Sequence, residues 1–252
     1  MNDLNIENEF GKFFYSPQYV KLKNHLFNYR FRKYIIKKNF LKYFKNKINS
    51  DNLLIVDIGS GISTVTPLPK KTLFVYLEEE AVKLLKKEGM GAITGDITSL
   101  PLEGDSVDVI TCSEVLEHVK DYKKALKEMR RVLKAEGGAI ITVPTHKYYW
   151  KDDDEFVGHY RRFNPMTLKK DIENVGLKIV LKKPIGSLLE RNLTWFIVKM
   201  ASKNKTDKSI SKIKVGLFFI FNSFLLQLAK IACYFNSEKN SSVVLIVAIK
   251  EN

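Results

Sequence analysis

The sequence predicts an α/β fold with a central, mainly parallel sheet, and three observations support this prediction. A nearly continuous apolar run at residues 53–58 is typical of a strand that is buried on both faces. Two glycines, Gly59 and Gly61, follow this run directly and predict a sharp turn. Strand-like apolar runs then alternate with helical segments, as they do in folds with parallel strands.

The remaining elements are predicted in chain order from the same patterns. Further strands are expected at residues 73–77, 91–96, 106–112, 139–144, 177–181 and 242–249. Helices are expected at 79–88 and 121–134, and a third begins with Pro165 at its first position and ends before Gly176. A full helix is not expected at 64–71, because this segment contains Pro67 and Pro69.

Acidic residues end or closely follow three of the first strands, at Asp57, Glu78 and Asp96. Because the carboxyl ends of parallel strands meet at one edge of a sheet, we expect these carboxylates to lie side by side. Carboxylates accept hydrogen bonds from ribose hydroxyls and amines, whereas Asp57 would repel a pyrophosphate. The simpler interpretation of Glu78 is that it only begins a helix, where an acid is favourable in any case.

The composition is that of a globular protein, but the charge is unusual. Of 252 residues, 45% are hydrophobic, and the net charge is +14 with a pI of about 9.5. This excess indicates an acidic partner surface, either anionic lipid or nucleic acid. Cys112 and Cys233 are the only cysteines, which indicates a reducing compartment. Because residues 1–9 are polar and acidic, no signal peptide is expected, and a cytoplasmic location is predicted, with peripheral attachment at the inner face of the membrane as an extension.

Residues 1–50 are predicted to form a basic, amphipathic helical arm. No acidic residue occurs between positions 11 and 50, where lysine and arginine alternate with large apolar residues. The apolar residues recur at helical spacing, at Phe27, Phe31, Tyr34 or Ile35, Leu41, Phe44 and Ile48. Three interpretations remain open: a helix that packs on the main domain, an element at an anionic membrane surface and, less favoured, a nucleic-acid contact.

Residues 51–252 are predicted to form the main domain, with a helical insertion or lid at 184–240, before the last strand. Within it, residues 215–235 are nearly apolar and almost reach the roughly 20 residues that span a bilayer. Polar residues interrupt this segment at Asn222, Ser223, Gln227 and Lys230. We therefore expect a helix that lies on the domain or in the membrane interface, and the basic segment within 203–235 favours anionic lipid.

Short motifs occur in a characteristic order between about residues 53 and 145. They are Val56-Asp57-Ile58-Gly59-Ser60-Gly61, Glu78, Gly95-Asp96-Ile97, Leu100-Pro101, Ser106-Val107-Asp108-Val109-Ile110, Ser113-Glu114-Val115-Leu116-Glu117-His118-Val119, Arg131-Val132-Leu133-Lys134 and Gly137-Gly138. With this order and spacing, the region resembles the class I S-adenosylmethionine-dependent methyltransferases, of the methyltransferase type 11 kind. The resemblance implies a seven-strand Rossmann-like sheet with an antiparallel last strand, and S-adenosyl-L-methionine as cofactor.

The resemblance also implies cofactor-binding roles for three groups of residues. The glycine turn passes beneath the methionine part of the cofactor, with the acid behind it: Asp57, Gly59, Ser60 and Gly61. The ribose and the adenine are bound after the next two strands, by Glu78, Asp96 and Ile97. The floor under the cofactor is lined from the end of the fourth strand, by Cys112, Ser113 and Glu114.

Two histidines are the candidate catalytic residues. His118 follows the fourth strand, and His159 lies in a segment, residues 158–165, that resembles a His-x-Arg-Arg-aromatic segment of some of these enzymes. A divalent metal ion is the less favoured alternative. Glu114, Glu117 and His118 would share one face of a helix, and His159 would add a further ligand. Similar Glu-x-x-Glu-His segments bind a divalent ion in some O-methyltransferases, whereas many relatives with this segment bind none.

Four consecutive acids at residues 152–155 are interpreted as a solvated loop, because four neighbours in the chain cannot all face one ion. Arg161 and Arg162 are expected to contact either an anionic group of the substrate or these acids.

The sequence therefore predicts methyl transfer from S-adenosylmethionine to an oxygen or nitrogen of a small, amphiphilic or lipid-linked acceptor. The non-enzymatic alternative is a membrane-surface or nucleic-acid-binding adaptor that retains the fold, since a fold does not fix a function. The sequence does not indicate an oligomeric state.

Overall fold

A computed structural model describes residues 23–50, 52–59, 61, 64–188, 190–193, 195 and 212–251, with side chains in the last segment from residue 220 onward. They contain a seven-stranded sheet in the order β3-β2-β1-β4-β5-β7-β6. The strands are β1 (Ile55–Ile58), β2 (Thr72–Tyr76), β3 (Gly91–Thr94), β4 (Val107–Ser113), β5 (Leu133–Pro144), β6 (Leu177–Pro184) and β7 (Val243–Lys250). The first five strands are parallel, and β7 is antiparallel to both β5 and β6, which confirms the predicted sheet.

The named α-helices occur where the sequence predicts helical segments, except for a short one at Asp152–Phe156 that was not predicted. They are α1 (Phe27–Phe44), α2 (Glu79–Lys87), α3 (Tyr122–Val132), α4 (Asp152–Phe156), α5 (Pro165–Asn174) and α6 (Lys212–Phe235). Side-chain caps explain where two of them begin: Asp121 accepts from the backbone of Lys124 at α3, and Asn164 accepts from the backbone of Met166 at α5. As expected from its prolines, the segment 64–71 contains only one 3₁₀ turn, Pro69–Lys71.

The hydrophobic core lies on both faces of the sheet. One face is covered by α3 and α5, which contribute fully buried residues such as Leu126 and Leu168. The opposite face is covered by α1 and α6, where Phe40 and Leu226 pack with Ile55 of β1. Complete burial of a side chain such as Phe40 contributes about 1.5–3 kcal/mol. Helix α1 therefore shares a core with the sheet and is held by it.

Contacts between α1 and α6 explain polar residues within the apolar segment at 215–235. The Oδ1 atom of Asn222 accepts a hydrogen bond of 3.0 Å from the backbone N–H of Phe27, the first residue of α1. Ser223 accepts one of 3.0 Å from Arg30. Since the first N–H groups of a helix have no partner within it, Asn222 supplies the cap that α1 otherwise lacks.

The apolar pattern of α1 is only partly as expected. Phe27, Phe31 and Phe44 are buried, but Leu41 is 43% exposed and its neighbour Phe40 is buried instead. Helix α1 packs against both the sheet and α6, so it buries residues on a wider face than one stripe of apolar residues predicts.

None of the described helices combines the length and hydropathy that a membrane crossing requires.

Candidate active site

The glycine turn at the end of β1 has the backbone conformation that only glycine adopts easily. Gly59 and Gly61 have φ angles of 66° and 85°. A Cβ atom on Gly59 would lie only 3.1 Å from Cγ2 of Val115, so the turn approaches the loop after β4 closely. The hydroxyl of Tyr76 donates a 2.8 Å hydrogen bond to the carbonyl of Gly61 and fixes the turn. Ser60 lies outside the described residues.

Asp57 supports this turn from within the sheet. Its carboxylate is fully buried and accepts a 2.7 Å hydrogen bond from the hydroxyl of Thr111 on β4. The pairing of β1 with β4 sets Asp57 opposite Thr111, so the hydrogen bond follows from the strand register. Asp57 is thus a buried polar residue with a defined partner, directly behind the glycines.

Glu78 and Asp96 follow β2 and β3, the two strands beyond β1, at the same edge of the sheet. Both residues are exposed. Asp96 accepts a 2.7 Å hydrogen bond from the backbone N–H of Thr98, which orients its carboxylate. Ile97 beside it is 7% exposed. The structure therefore brings the two acids to one edge in the order that the sequence predicts.

The three residues at the end of β4 lie in different environments. Cys112 is buried in the core with Ile58, so its side chain lies on the opposite face of the sheet from that of Asp57. The hydroxyl of Ser113 lies 2.8 Å from that of Thr142 on β5. Glu114 has a φ angle of 55°, which is uncommon for a residue with a side chain. Such strained residues are frequent at functional sites.

The segment after Glu114 corrects one prediction. Residues Leu116–His118 form a 3₁₀ turn, so Glu114, Glu117 and His118 do not share one face of an α-helix. The carboxylate of Glu114 lies 3.2 Å from the guanidinium of Arg32 on α1. The left-handed conformation of Glu114 directs the chain away from the strand before a helix can begin.

His118 and His159 are brought together, as the sequence analysis requires of two residues of one site. Their rings meet edge to face, with centroids 4.6 Å apart. Burial, together with the neighbouring His159, lowers the pKa of His118 to about 3, so its imidazole is neutral at physiological pH. The Nδ1 atom of His159 lies 2.7 Å from Oδ1 of Asp154, which fixes the orientation of that ring.

The acidic run at 152–155 is not a solvated loop. It forms α4, and Asp154 is 1% exposed. Arg162 lies 2.9 Å from Asp154, and Arg191 lies 2.8 Å from Asp154 and binds Asp153 through two hydrogen bonds of 2.6 Å. Although burial opposes it, the hydrogen bonds from His159 and Arg162 hold the pKa of the Asp154 carboxyl below its usual range.

Of the two arginines, only Arg162 contacts these acids. Arg161 instead donates hydrogen bonds to the carbonyl groups of Val119 and Lys120 and lies 4.9 Å from the centre of the Tyr122 ring. It therefore holds the loop after β4 in place.

Three further charged residues, which no sequence motif indicates, face the same region. The Nζ atom of Lys23 lies 3.1 Å from the point where a Cβ atom on Gly61 would stand. Burial and the nearby Arg32 lower the pKa of Lys23 to about 8. Burial also raises the pKa of Glu190 to about 7, against the attraction of Arg32. No local pattern distinguishes these residues from the other charged residues of their segments.

Glu117, His118 and His159 form a group that could hold a metal ion. One ligand atom from each residue lies within 4.8 Å of the others. Burial, with the negative charge of Glu114, raises the pKa of the Glu117 carboxyl well above its usual range. Glu114 is not part of this group, because its carboxylate turns toward Arg32.

Comparisons with known proteins agree with this geometry. A family model for a methyltransferase domain matches residues 56–141, which include the glycine turn and β4. An uncharacterized protein of Methanocaldococcus jannaschii is 32% identical over 179 residues, or 69% of this chain and 76% of the relative. The demethylmenaquinone methyltransferase of Renibacterium salmoninarum is 25% identical over 177 residues, or 68% of this chain and 73% of that enzyme.

Solved structures share the fold. A structure of an S-adenosylmethionine-dependent methyltransferase from Thermotoga maritima superposes with a TM-score of 0.55 at 17% identity, covering 87% of this chain and 91% of that one. This likeness concerns the fold alone, whereas the family model and the archaeal relative concern the sequence itself. From these matches and the sheet that carries the site, the chain belongs to the class I S-adenosylmethionine-dependent methyltransferase family.

Proposed function

We propose that this protein transfers a methyl group from S-adenosylmethionine to an oxygen or nitrogen of a small, amphiphilic or lipid-linked acceptor. The observation that carries the proposal is the edge of the sheet: two left-handed glycines, followed by exposed acids after the next two strands. Residues 51–252 would form the catalytic domain, residues 1–50 a basic amphipathic helical arm, and residues 184–240 an insertion or lid.

The residues present fit this cofactor. Gly59 and Gly61 leave the turn without side chains where the methionine part would pass, and the Lys23 ammonium suits its carboxylate. Glu78 would accept hydrogen bonds from the ribose hydroxyls, and Asp96 from the adenine amine.

The other proposed cofactor-binding residues hold the glycine turn or line the surface around the cofactor. Asp57 would hold the turn and Ile97 would pack near the adenine ring. Ser60, the backbone of Cys112, and Ser113 and Glu114 would complete the surface under the cofactor.

S-adenosylmethionine supplies a methyl group on a sulfonium, which an acceptor atom displaces in line. The contribution of the protein is to hold the acceptor atom near that methyl group and to remove its proton where it carries one. His118 lies in the turn that follows β4 and His159 packs against it, while Val115 of the same segment approaches Gly59 closely. We propose that these two imidazoles orient the acceptor and take its proton.

Calorimetric titration of S-adenosylmethionine and of its demethylated product tests the cofactor. We expect about micromolar binding. In the Asp96→Ala variant the affinity should fall roughly tenfold or more, because a hydrogen bond to a charged group is lost. Glu103→Ala, which removes an exposed acid distant from the glycine turn, is the matched control. Absence of binding by folded protein, with or without added Mg²⁺ or lipid, would leave only the adaptor function.

A second proposal concerns the location of the enzyme. One side of α6 exposes seven large apolar residues at 40–83%: Ile220, Phe221, Phe224, Leu228, Ile231, Tyr234 and Phe235. Three lysines border this surface: Lys38 and Lys183 lie beside the Tyr234 ring, and Lys230 lies over Tyr34. Aromatic residues beside lysines suit the interface of an anionic bilayer. We therefore propose peripheral attachment to an anionic membrane surface, with nucleic acid as the less favoured partner.

Pelleting with vesicles tests this attachment. Wild type should bind anionic vesicles more strongly than neutral ones, and salt should weaken the binding. Phe221→Ser combined with Phe224→Ser should reduce the pelleted fraction severalfold, whereas Met166→Ser, an exposed apolar residue on α5, should not. Absence of pelleting with either vesicle type contradicts membrane attachment, and equal pelleting with both contradicts the preference for anionic lipid.

A further inference from the structure

Glu117 is an unusual residue for a folded interior. Its side chain is 0% exposed, and neither carboxylate oxygen has a hydrogen-bond partner among the described residues. Its Oε1 atom lies 3.8 Å from Nε2 of His159, which is too long for a hydrogen bond. Because an unpaired buried carboxylate is unfavourable, such a group needs either a proton or a cation.

His159 is oriented as a metal-binding histidine would be. Its Nδ1 atom is 2.7 Å from the Asp154 carboxylate, which accepts the ring proton there. In this tautomer the lone pair of the ring is on Nε2, the atom that faces Glu117. Asp154 is itself fixed by Arg162 and Arg191. A carboxylate behind a histidine is the usual arrangement that orients a metal ligand.

His118 completes the group. Its ring is largely buried beside His159 and hydrogen-bonds with the backbone of Gly158, which orients it. Together the three side chains offer two imidazole nitrogens and one carboxylate. Bonds from a transition metal to such atoms are about 2.0–2.2 Å long, so ligands on opposite sides are about 4 Å apart. The 3.8 Å between Glu117 and His159 therefore requires little movement.

We propose that Glu117, His118 and His159 bind one divalent transition-metal ion, such as Zn²⁺, Fe²⁺ or Mn²⁺. Two imidazoles favour these ions over Mg²⁺ and Ca²⁺, which prefer oxygen ligands. Three protein ligands leave coordination positions open for an acceptor. The set differs from the four residues considered from the sequence only by the loss of Glu114, whose carboxylate is paired with Arg32.

The proposal also narrows the acceptor, and this step rests on the proposed methyltransferase function. An ion held by these three residues would lower the pKa of an acceptor hydroxyl, whose proton would pass to solvent. The acceptor oxygen then forms a bond to the methyl carbon, while the carbon–sulfur bond breaks and its electron pair stays on sulfur. An oxygen acceptor is therefore favoured over an amine. With the ion bound, the two histidines would hold it, and this role would replace the removal of the acceptor proton that is proposed for them without metal.

Titration of Zn²⁺ and Co²⁺ into chelator-treated full-length protein tests the site, by calorimetry and by the visible absorption of Co²⁺. We expect one ion per chain, bound with about micromolar affinity or better. Glu117→Gln and His159→Asn should each weaken binding roughly tenfold or more. The controls are Glu103→Gln and His146→Asn, the latter removing a histidine that hydrogen-bonds to the backbone of Glu238. Glu117→Gln replaces the buried carboxyl group by an amide of the same size, so we expect the fold to be retained.

The outcomes separate this inference from the proposed function when S-adenosylmethionine is titrated into the same samples. Cofactor binding without metal binding, or equal metal affinity in wild type and Glu117→Gln, overturns the metal site alone. Metal binding that depends on Glu117, in protein that does not bind the cofactor, overturns the methyltransferase function and supports the site.

Discussion

Two acidic groups lie on either side of His159, and they differ in how they are paired. On one side, Asp154 binds Arg162, Arg191 and the Nδ1 atom of His159. On the other side, Glu117 faces Nε2 of the same ring at 3.8 Å and has no hydrogen-bond partner among the described residues. Both carboxylates are buried to nearly the same extent.

This difference indicates a structural role for Asp154 and a functional one for Glu117. A buried carboxylate with several well-placed partners is stable and holds segments together, here α4, the loop before α5 and the segment at 190–193. A buried carboxylate without partners is unfavourable for folding and persists where a ligand requires it. By this argument the single Glu117 is the functional candidate, and the conspicuous run of four acids is structural.

The largest loss of stability is expected from removing a partner of the paired carboxylates Asp153 and Asp154. Arg191→Ala would leave Asp153 and Asp154 buried with fewer partners, so the free energy of unfolding should fall by about 3–5 kcal/mol. Urea denaturation monitored by circular dichroism measures it. Glu155→Ala is the control from the same run: its side chain is exposed and, among the described residues, accepts a hydrogen bond from Trp150 alone, so its effect should stay within about 0.5 kcal/mol. If the two variants lost equal free energy of unfolding, Asp153 and Asp154 would not have the structural role assigned to them.

A smaller change is expected at Glu117, the carboxylate without a hydrogen-bond partner in the described part of the chain. Here the substitution Glu117→Gln should raise the free energy of unfolding. Burial raises the folded-state pKa of Glu117 above its ordinary value of 4.5. Its protonated form is therefore favoured by folding, and this stabilisation is present below pH 4.5 and is lost as the pH rises toward the folded pKa. In chelator-treated protein, the free energy of unfolding of Glu117→Gln should therefore rise relative to that of wild type, by up to about 1.4 kcal/mol per pH unit above pH 4.5.

Thermal unfolding of the two proteins between pH 4 and pH 8 measures this difference. Added Zn²⁺ should restore the stability of wild type and leave the variant unchanged, since only wild type has the carboxylate. A difference that does not vary with pH would show that Glu117 is paired after all.

Much of the fold could be predicted from the sequence because its signals are local. The apolar run at 53–58, the two glycines and the prolines at 67 and 69 each fix a short stretch of backbone by hydrophobic burial or by allowed φ angles. The acids at Glu78 and Asp96 could be assigned to one edge, since parallel strands end on the same side.

The interior of the candidate site could not be predicted in the same way. The interpretation of Glu114, Glu117 and His118 as one helix face was wrong, because Glu114 takes a left-handed conformation and pairs with Arg32 from α1. The interpretation of residues 152–155 as a solvated loop was wrong, because Arg191 reaches them from nearly forty positions away.

By itself, the sequence determined the strands, most helices, the glycine turn and the acids at the edge of the sheet, and its resemblance indicated the family. Only the tertiary structure decided which charged side chains pair with one another, and so which carboxylate is left without a partner. The physical reason is that propensity and hydrophobic periodicity act over neighbouring residues. The state of a buried charge depends instead on groups brought near it by the whole fold, as Arg32, Arg162 and Arg191 are here.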